Sequence, residues 1–239
     1  MVERKQDYFR VPITMPSNMV SFLENLGIEC KKSGGHKIAN TMIVRSAIKL
    51  LMDLDLDISG IKSEEELEDR IKENIIKISV IGGSQVDTEI YNLAYEVGKE
   101  IARNGAVLIC GGLSGTMEAA CKGAKEEGGL TIGILPTADE NDANRYVDIK
   151  IPTGMGYARN VPIVLSSHAV IAIDGSSGTL SEIGYAFTFN KPIIGLKTWE
   201  ARPYYSEDSR FIIKAKTAKE AVKIAIKEAR DYIRKNQLS

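Results

Sequence analysis

Three glycine-rich segments, each following a run of apolar residues, have the composition of phosphate-binding loops. They are residues 82–84, 111–116 and 175–179, and the second and third run directly into predicted helices. The first turn of a helix offers unpaired N–H groups and a partial positive charge, and glycines let an anion approach the backbone closely. The candidate phosphate-binding residues are Gly82, Gly83, Ser84, Gly111, Gly112, Ser114, Gly115, Thr116, Gly175, Ser176, Gly178 and Thr179.

Two well-known phosphate-binding motifs are excluded by the residues around these glycines. The Walker A motif requires Gly-Lys-Ser/Thr, which follows neither the second nor the third segment. A dinucleotide-binding fingerprint requires an acidic residue after the next strand, whereas that strand ends in Leu135 and Pro136. The sequence therefore predicts a phosphate-bearing, nucleotide-like ligand of another binding class.

The elements that must position these segments alternate along the chain. Apolar runs typical of buried strands occupy residues 75–81, 106–109, 130–135, 147–151, 169–173 and 193–196. Helical spacing of apolar residues occurs at residues 90–101, 116–125, 158–166, 179–189 and 219–235. This alternation predicts an α/β fold, a doubly wound, Rossmann-like parallel sheet with helices on both faces. In such sheets the ligand binds beyond the carboxyl ends of the strands.

Residues 75–239 resemble the Lonely Guy and lysine-decarboxylase-like superfamily, and most closely its molybdenum cofactor carrier branch. Residues 110–118 match the superfamily turn G-G-G-x-x-G-L-M-E, and residues 174–182 match the turn P-G-G-x-G-T-x-x-E. Residues 154–160, Gly-Met-Gly-Tyr-Ala-Arg-Asn, lie between the two. The sequence departs from the pattern at Cys110 and Ser176, which replace glycines, and at Asp174, which replaces proline.

The resemblance implies two activities for this part of the chain. In hydrolytic members an arginine and a glutamate, here Arg159 and Glu182, cleave the N-glycosidic bond of a nucleoside 5′-monophosphate. Carrier members hold a phosphorylated pterin without turnover, so the implied ligand is a nucleotide-like phosphate or the molybdenum cofactor. A structural alternative is that Glu182 only favours a helix N-terminus and Arg159 only pairs with it.

The first 57 residues predict a strand followed by two helices. Residues 8–16 alternate apolar and polar side chains, and helices are expected to begin near Ser17 and Asn40. This segment has too little core for a monomer and resembles the ribbon-helix-helix fold of the Arc and MetJ repressors. The resemblance implies that Arg10 and Thr14 contact bases of duplex DNA and that Asn40 and Thr41 bind a phosphate. Pro12 departs from the usual polar residue, so a dimerisation arm without DNA binding is the alternative.

Charge is distributed unevenly along the chain. Residues 1–49 carry eight Lys/Arg and four Asp/Glu, whereas residues 50–75 carry three and nine. We therefore predict a DNA-binding or dimerisation segment at residues 1–57, an acidic linker at 58–74 and a ligand-binding α/β domain at 75–239. Ser63 followed by three glutamates predicts a helix start within the linker.

Composition excludes several other classes of protein. Cys30, Cys110 and Cys121 form neither a disulfide pattern nor, with only two histidines in the chain, a metal site. We expect all three cysteines to be buried as small apolar side chains and His168 to be structural. No apolar run is long enough to span a bilayer, and no leader pattern opens the chain, so a soluble cytoplasmic protein is expected.

The first hypothesis from the sequence is a transcriptional regulator, a homodimer or higher homo-oligomer whose DNA affinity responds to a phosphorylated ligand. The alternatives are a nucleoside 5′-monophosphate phosphoribohydrolase and a molybdenum cofactor carrier. The basic N-terminal segment favours the regulator, whereas Arg159 together with Glu182 favours the enzyme.

Overall fold

The structure is a computed structural model that describes residues 11–53, 58–73, 75–202 and 211–237. It divides into two compact units, Met1–Ile71 and Lys72–Ser239. The division falls within the predicted acidic linker. No helix in the described ranges is long and apolar enough to cross a membrane.

The first unit contains helices at the positions that the sequence predicts. Helix α1 spans Ser17–Lys32 and helix α2 spans Asn40–Asp53. Gly27 is the buried residue of α1, because a methyl group there would lie 2.5 Å from the carbonyl oxygen of Ile38. The chain segment before α2 therefore packs directly on the α1 backbone.

The described part of the predicted N-terminal strand, residues 11–16, does not form a strand. Residues 11–16, including Thr14, form no regular element, and Arg10 lies outside the described residues. A strand of a two-chain ribbon is hydrogen-bonded by the partner's strand, so DNA contact by Arg10 and Thr14 remains a prediction.

The acidic linker forms a helix with the cap that its sequence predicts. Helix α3 spans Glu64–Glu73. The Glu66 N–H donates to Ser63 Oγ at 3.1 Å, and the Lys62 N–H donates to Glu66 Oε2 at 2.7 Å. The bond to Ser63 caps the helix as in a capping box, whereas the Glu66 carboxylate accepts from the residue before the N-cap.

The second unit is a seven-stranded parallel sheet, which confirms the predicted fold class. The strands are β1 Lys77–Gly82, β2 Val107–Cys110, β3 Thr131–Leu135, β4 Ile149–Pro152, β5 Ala169–Ile173, β6 Ile193–Leu196 and β7 Ile212–Lys214. Their order in the sheet is β4-β3-β2-β1-β5-β6-β7, and every pair is parallel. Strand β7 is absent from the sequence prediction.

Helices cover both faces of this sheet. They are α4 Thr88–Arg103, α5 Thr116–Glu126, α6 Asn160–Leu165, α7 Ser177–Thr188 and α8 Ala218–Gln237. Apolar side chains of α4, α5 and α8 form one core with the sheet, and those of α6 and α7 form a second core on the opposite face. The interior strand β5, next to β1, is buried at every residue, as expected for a strand covered on both sides.

The strand order creates a switch point between β1 and β5. From β1 the chain builds the sheet outward through β2 and β3 to β4, and it then returns to place β5 on the other side of β1. A crevice opens at the carboxyl ends of strands where the order reverses in this way. The glycine-rich segments follow β1, β2 and β5, so the fold brings all three to that crevice.

The remaining expectations concern cysteines and His168. Cys110 and Cys121 are buried as expected, but Cys30 is half-buried, because α1 lies in a small unit with little core. Burial and the charges of Lys77 and Lys191 lower the pKa of His168 to about 4. Its neutral Nδ1 accepts the Lys77 N–H at 3.2 Å, which is a structural role.

Candidate active site at the switch point

A cavity of about 400 Å³ lies at the carboxyl ends of β1, β2 and β5. Its lining combines glycines and hydroxyl groups with one arginine, one glutamate and several apolar side chains. The lining residues are Val80, Ile81, Gly82, Ser84, Gly111, Leu113, Met117, Tyr157, Arg159, Asn160, Ser176, Ser177, Gly178, Thr179, Ser181 and Glu182. Such a volume is at the small end of the range for small-molecule sites.

The turn between β5 and α7 places the first turn of a helix against this cavity. Gly175 has a φ of +116°, and a side chain there would collide with Thr179, so glycine is required. Ser176 occupies the N-cap position of α7 with a φ of −105°, which any residue adopts without strain, and its side chain makes no capping hydrogen bond. A methyl group at Gly178 would meet nothing within 4 Å, so the backbone of this turn is open on that side. The replacement of glycine by Ser176 therefore leaves the turn geometry intact.

The loops after β1 and β2 lock together beside the cavity. The Thr116 N–H donates to the Gly83 carbonyl at 3.0 Å, and Ser114 Oγ donates to the Ser84 carbonyl at 2.9 Å. Gly115 has a φ of +67°, and a methyl group there would lie 2.5 Å from the Gly83 oxygen. These contacts fix the start of α5 relative to the end of β1.

Cys110 takes part in this loop although the superfamily turn has glycine at that position. Its Sγ accepts the Gly112 N–H at 3.3 Å and lies 3.4 Å from Cys121 Sγ. Contact with Cys121 lowers the pKa of Cys110, and the same contact raises the pKa of Cys121. The two thiols are buried beneath the loop and support it from the core side.

The only ion pair found in the described cavity lining joins Arg159 and Glu182. Arg159 Nη1 lies 3.6 Å from Glu182 Oε1, and the two side chains are 11% and 7% exposed. The guanidinium lies on Gly111, where a methyl group would lie 2.5 Å from Nη2. Only a glycine at 111 leaves room for the arginine in this position.

A hydrogen-bond chain orients the arginine. Arg159 Nη1 donates to Asn160 Oδ1 at 2.8 Å, and Asn160 Nδ2 donates to Ser181 Oγ at 3.0 Å. Ser181 Oγ in turn donates to the Gly178 carbonyl at 2.6 Å. The chain links the arginine to the first turn of α7, so the ion pair and that turn are held as one unit.

The electrostatics of the pair are set mainly by burial. Loss of solvent raises the pKa of Glu182 to about 7, because the attraction of Arg159 only partly offsets desolvation. Burial also lowers the pKa of Arg159, although a guanidinium stays protonated under all ordinary conditions. Arg159 Nε is buried without a hydrogen-bond partner among the described residues. A glutamate that titrates near neutrality beside an incompletely paired cation is typical of reactive sites.

The predicted phosphate-binding residues fall into two groups. Those that line the cavity are Gly82, Ser84, Gly111, Ser176, Gly178 and Thr179. Gly83, Gly112, Ser114, Gly115 and Gly175 shape the loops behind the lining. Thr116 is buried next to Gly82, and its hydroxyl has no partner in the described part of the chain.

Sequence reasoning missed several lining residues. They include Leu113, Met117, Tyr157, Asn160, Ser177 and Ser181. Tyr157 and Asn160 belong to the same segment as Arg159, residues 154–160, so their position next to a predicted site residue could have identified them. The lining role of Met117 could not be deduced, because it depends on how α5 docks against β1.

The predicted DNA-binding residues belong to the first unit. Asn40 and Thr41 form the first turn of α2, whose N–H groups lack partners within the helix. Thr41 is exposed. A phosphate contact there remains a prediction.

Comparison with known proteins identifies relatives of this chain. An uncharacterized protein of Archaeoglobus fulgidus is 50% identical over 123 residues, which is 52% of this chain and 81% of that protein. A cytokinin riboside 5′-monophosphate phosphoribohydrolase of Mycobacterium tuberculosis is 33% identical over 125 residues, which is 48% of this chain and 67% of that protein.

A solved structure supports the same relationship. The molybdenum cofactor binding protein of Rippkaea orientalis is 37% identical with a TM-score of 0.57, over 63% of this chain and 94% of that one. Residues 75–230 also match the sequence profile of LDcluster4, described as the SLOG cluster4 family. This match extends over most of the α/β unit and more than half of the chain, and the protein therefore belongs to the SLOG cluster4 family.

Proposed function

We propose that this protein is a phosphoribohydrolase that cleaves the N-glycosidic bond of a nucleoside 5′-monophosphate. The observation that carries the proposal is the buried Arg159–Glu182 pair, which lines the cavity and leaves Arg159 Nε without a hydrogen-bond partner among the described residues. The mycobacterial relative, named as a phosphoribohydrolase, supports it. The relatives thus favour the enzyme or carrier over the transcriptional regulator, the first hypothesis from the sequence.

The first turn of α7 suits the phosphate of such a substrate. Ser177, Gly178 and Thr179 line the cavity, and the first N–H groups of a helix have no partners within it. The side of Gly178 that would carry a Cβ is open, which lets an oxyanion approach the backbone. The hydrogen-bond chain from Arg159 through Asn160 and Ser181 then links the ion pair to this anchor.

The chemistry asked of the pair is hydrolysis at the anomeric carbon. Water adds to C1′, the bond from C1′ to the base nitrogen breaks, and free base and ribose 5-phosphate result. The transition state resembles an oxocarbenium ion, which a nearby carboxylate stabilises. With a pKa of about 7, Glu182 in its ionised form can accept a proton from the attacking water and pass it to the departing base nitrogen. Arg159 holds the negatively charged substrate and keeps the carboxylate oriented.

The proposal is tested by the release of free base from a panel of nucleoside 5′-monophosphates. Wild-type protein is expected to turn over at least one of them, and Glu182→Gln is expected to lower kcat by about 100-fold or more. Glu96→Gln is the matched control, because Glu96 is an exposed glutamate on α4 outside the cavity lining. Absence of turnover with every nucleotide, or equal turnover in Glu182→Gln, would reject the hydrolase.

A second candidate function is binding of a phosphorylated pterin without turnover. It is favoured by the similarity to the Rippkaea molybdenum cofactor binding protein, which this chain matches over 94% of that protein's length. The same panel separates the two functions. A carrier binds a pterin phosphate tightly and releases no base from any nucleotide, whereas the hydrolase releases base and loses this activity in Glu182→Gln.

A further inference from the structure

Tyr157 stands out at the rim of the cavity. The residue is 89% exposed, more than any other large hydrophobic residue in the described part of the chain. It lies in the short 3-10 helix Gly156–Arg159, two residues before Arg159, and it lines the cavity. Aromatic rings normally contribute buried area and contacts to a fold, and this ring contributes almost none.

The backbone that carries Tyr157 is hydrogen-bonded to the loop that follows β3. The Gly154 N–H donates to the Thr137 carbonyl and the Gly156 N–H to the Pro136 carbonyl, both at 2.9 Å. Gly154 and Gly156 have φ values of +64° and +55°, conformations that favour glycine. The segment after β4 is therefore fixed in place while it holds an aromatic ring out toward solvent.

The rest of the cavity suggests what would cover this ring. Of the described lining residues, Tyr157 is the single aromatic one, and Arg159, Glu182 and the first turn of α7 supply the polar groups. A ligand whose phosphate is bound by those polar groups also has a part without phosphate, which must lie elsewhere in the cavity or at its rim. A flat heteroaromatic ring on that part gains free energy by stacking on an aromatic side chain, and every base has a face suitable for this.

We propose that Tyr157 is the stacking platform for the planar ring of the ligand and determines its specificity for ring-bearing phosphates. This inference rests on the proposed function in one respect: it assumes that the ligand binds in the same cavity. It does not require that the ligand is hydrolysed. The shared chemistry is a flat nitrogen heterocycle attached to a phosphate, either the base of a nucleotide or a pterin. Tyr157 contributes affinity for that ring, and the polar groups contribute affinity for the phosphate.

The test measures binding of three probes to full-length protein by calorimetry. AMP and a pterin monophosphate carry a ring, and ribose 5-phosphate does not. Tyr157→Ala is expected to weaken binding of at least one ring-bearing probe by about tenfold, while the Kd of ribose 5-phosphate changes by less than about twofold. Tyr157→Phe, which keeps the ring, is expected to stay within about twofold of wild type. Phe211→Ala is the control, since Phe211 is 62% exposed and outside the cavity lining.

A fluorescence measurement tests contact between the ligand ring and residue 157 directly, without relying on changes in Kd. In a Trp199→Phe background, Tyr157→Trp places the chain's single tryptophan at the platform. Stacking is expected to quench its fluorescence with a ring-bearing probe and not with ribose 5-phosphate. Quenching by AMP identifies a nucleotide base, and quenching by the pterin alone identifies a pterin; both support the platform.

Other outcomes overturn the platform. These are wild-type affinity in Tyr157→Ala, an equal loss for all three probes, or no quenching by either ring-bearing probe. The proposed hydrolase fails on a different result, the absence of base release. Ring-dependent binding without turnover would support the stacking role of Tyr157 and reject the hydrolase. Turnover together with unchanged affinity in Tyr157→Ala would support the hydrolase and reject the stacking role.

Discussion

At the scale of single residues, the site depends on a carboxyl group whose charge the fold disfavours. The side chain of Glu182 is 7% exposed and faces one counter-charge among the described residues, Arg159, at a distance of 3.6 Å. Desolvation outweighs that attraction and raises the pKa of Glu182 from 4.5 to about 7. A glutamate kept only for stability would be expected to have more hydrogen-bond partners, so the unfavourable burial is itself an argument for function.

This pKa predicts how the free energy of unfolding depends on pH. Between about pH 4.5 and pH 7 the folded protein holds the Glu182 proton more tightly than the unfolded chain does. The stabilisation from Glu182 is therefore complete below pH 4.5 and is lost as pH rises to 7. Relative to Glu182→Gln, wild-type protein is expected to lose roughly 3 kcal/mol of unfolding free energy over this interval.

Urea unfolding of both proteins at several pH values measures this difference. Glu96→Gln serves as the control and should follow the wild-type curve, because Glu96 is exposed. Parallel pH dependence in wild type and Glu182→Gln would mean that Glu182 titrates at its ordinary pKa and that burial does not perturb it.

The sequence could identify the members of this pair only through a family resemblance. Arg159 and Glu182 lie on different elements, and their meeting depends on how the 3-10 helix before α6 packs against α7. The partner role of Gly111 could not be predicted either, because glycine in a tight turn has many explanations. Its reason is visible only with the guanidinium lying against it.

At the scale of elements, the packing of α4 on α5 depends on two glycines. A methyl group at Gly98 of α4 would overlap the carbonyl oxygen of Ala120, and one at Gly123 of α5 would overlap that of Tyr95. The obstructing atoms are helix backbone, which cannot move without separating the helices. Because α5 begins at the loop that lies beside the cavity, a change in this packing also reaches the site.

Alanine at either glycine is therefore expected to destabilise the α/β unit by about 2 kcal/mol or more, despite alanine's higher helix propensity. Gly184→Ala is the matched control, since Gly184 lies in α7 with nothing within 4 Å of an added methyl group. That change is expected to raise the unfolding free energy by roughly 0.5–1 kcal/mol. Similar effects of all three substitutions in urea unfolding would contradict the close approach of the two helices.

Elements were predictable where local pattern determines them. Strand β5 and strand β6 have the bounds that the sequence predicts, because each is an uninterrupted apolar run. Strand β7 was missed because it has only three residues and is defined by pairing with β6 at the sheet edge. Strand β4 is exposed throughout, and its observed start at Ile149 differs from the predicted start at 147 for the same reason: an edge strand has little burial to mark its ends.

At the scale of the whole molecule, the chain joins a family α/β unit to a second, helical unit outside the family match. The match begins at residue 75, and the compact division falls between Ile71 and Lys72. Helices α1 and α2 leave large apolar side chains exposed, among them Phe22, Met42 and Ile48. These exposed apolar side chains in a small unit are the reason for expecting a homo-oligomer, which remains a prediction.

The sequence hypothesis for this unit, binding of duplex DNA, leads to a whole-molecule prediction. Residues 1–49 carry eight Lys/Arg against four Asp/Glu, and cations that neutralise DNA phosphates release counterions. Full-length protein is therefore expected to bind duplex DNA, with an affinity that falls by about tenfold or more between 50 and 200 mM salt. Protein lacking residues 1–57 is expected to lose this binding and to keep the ligand affinity of the α/β unit.

A mobility-shift assay against a genomic library measures the binding of duplex DNA, and calorimetry measures the ligand affinity. If full-length protein binds no duplex even at low salt, the N-terminal unit serves assembly, and the protein is not a transcriptional regulator.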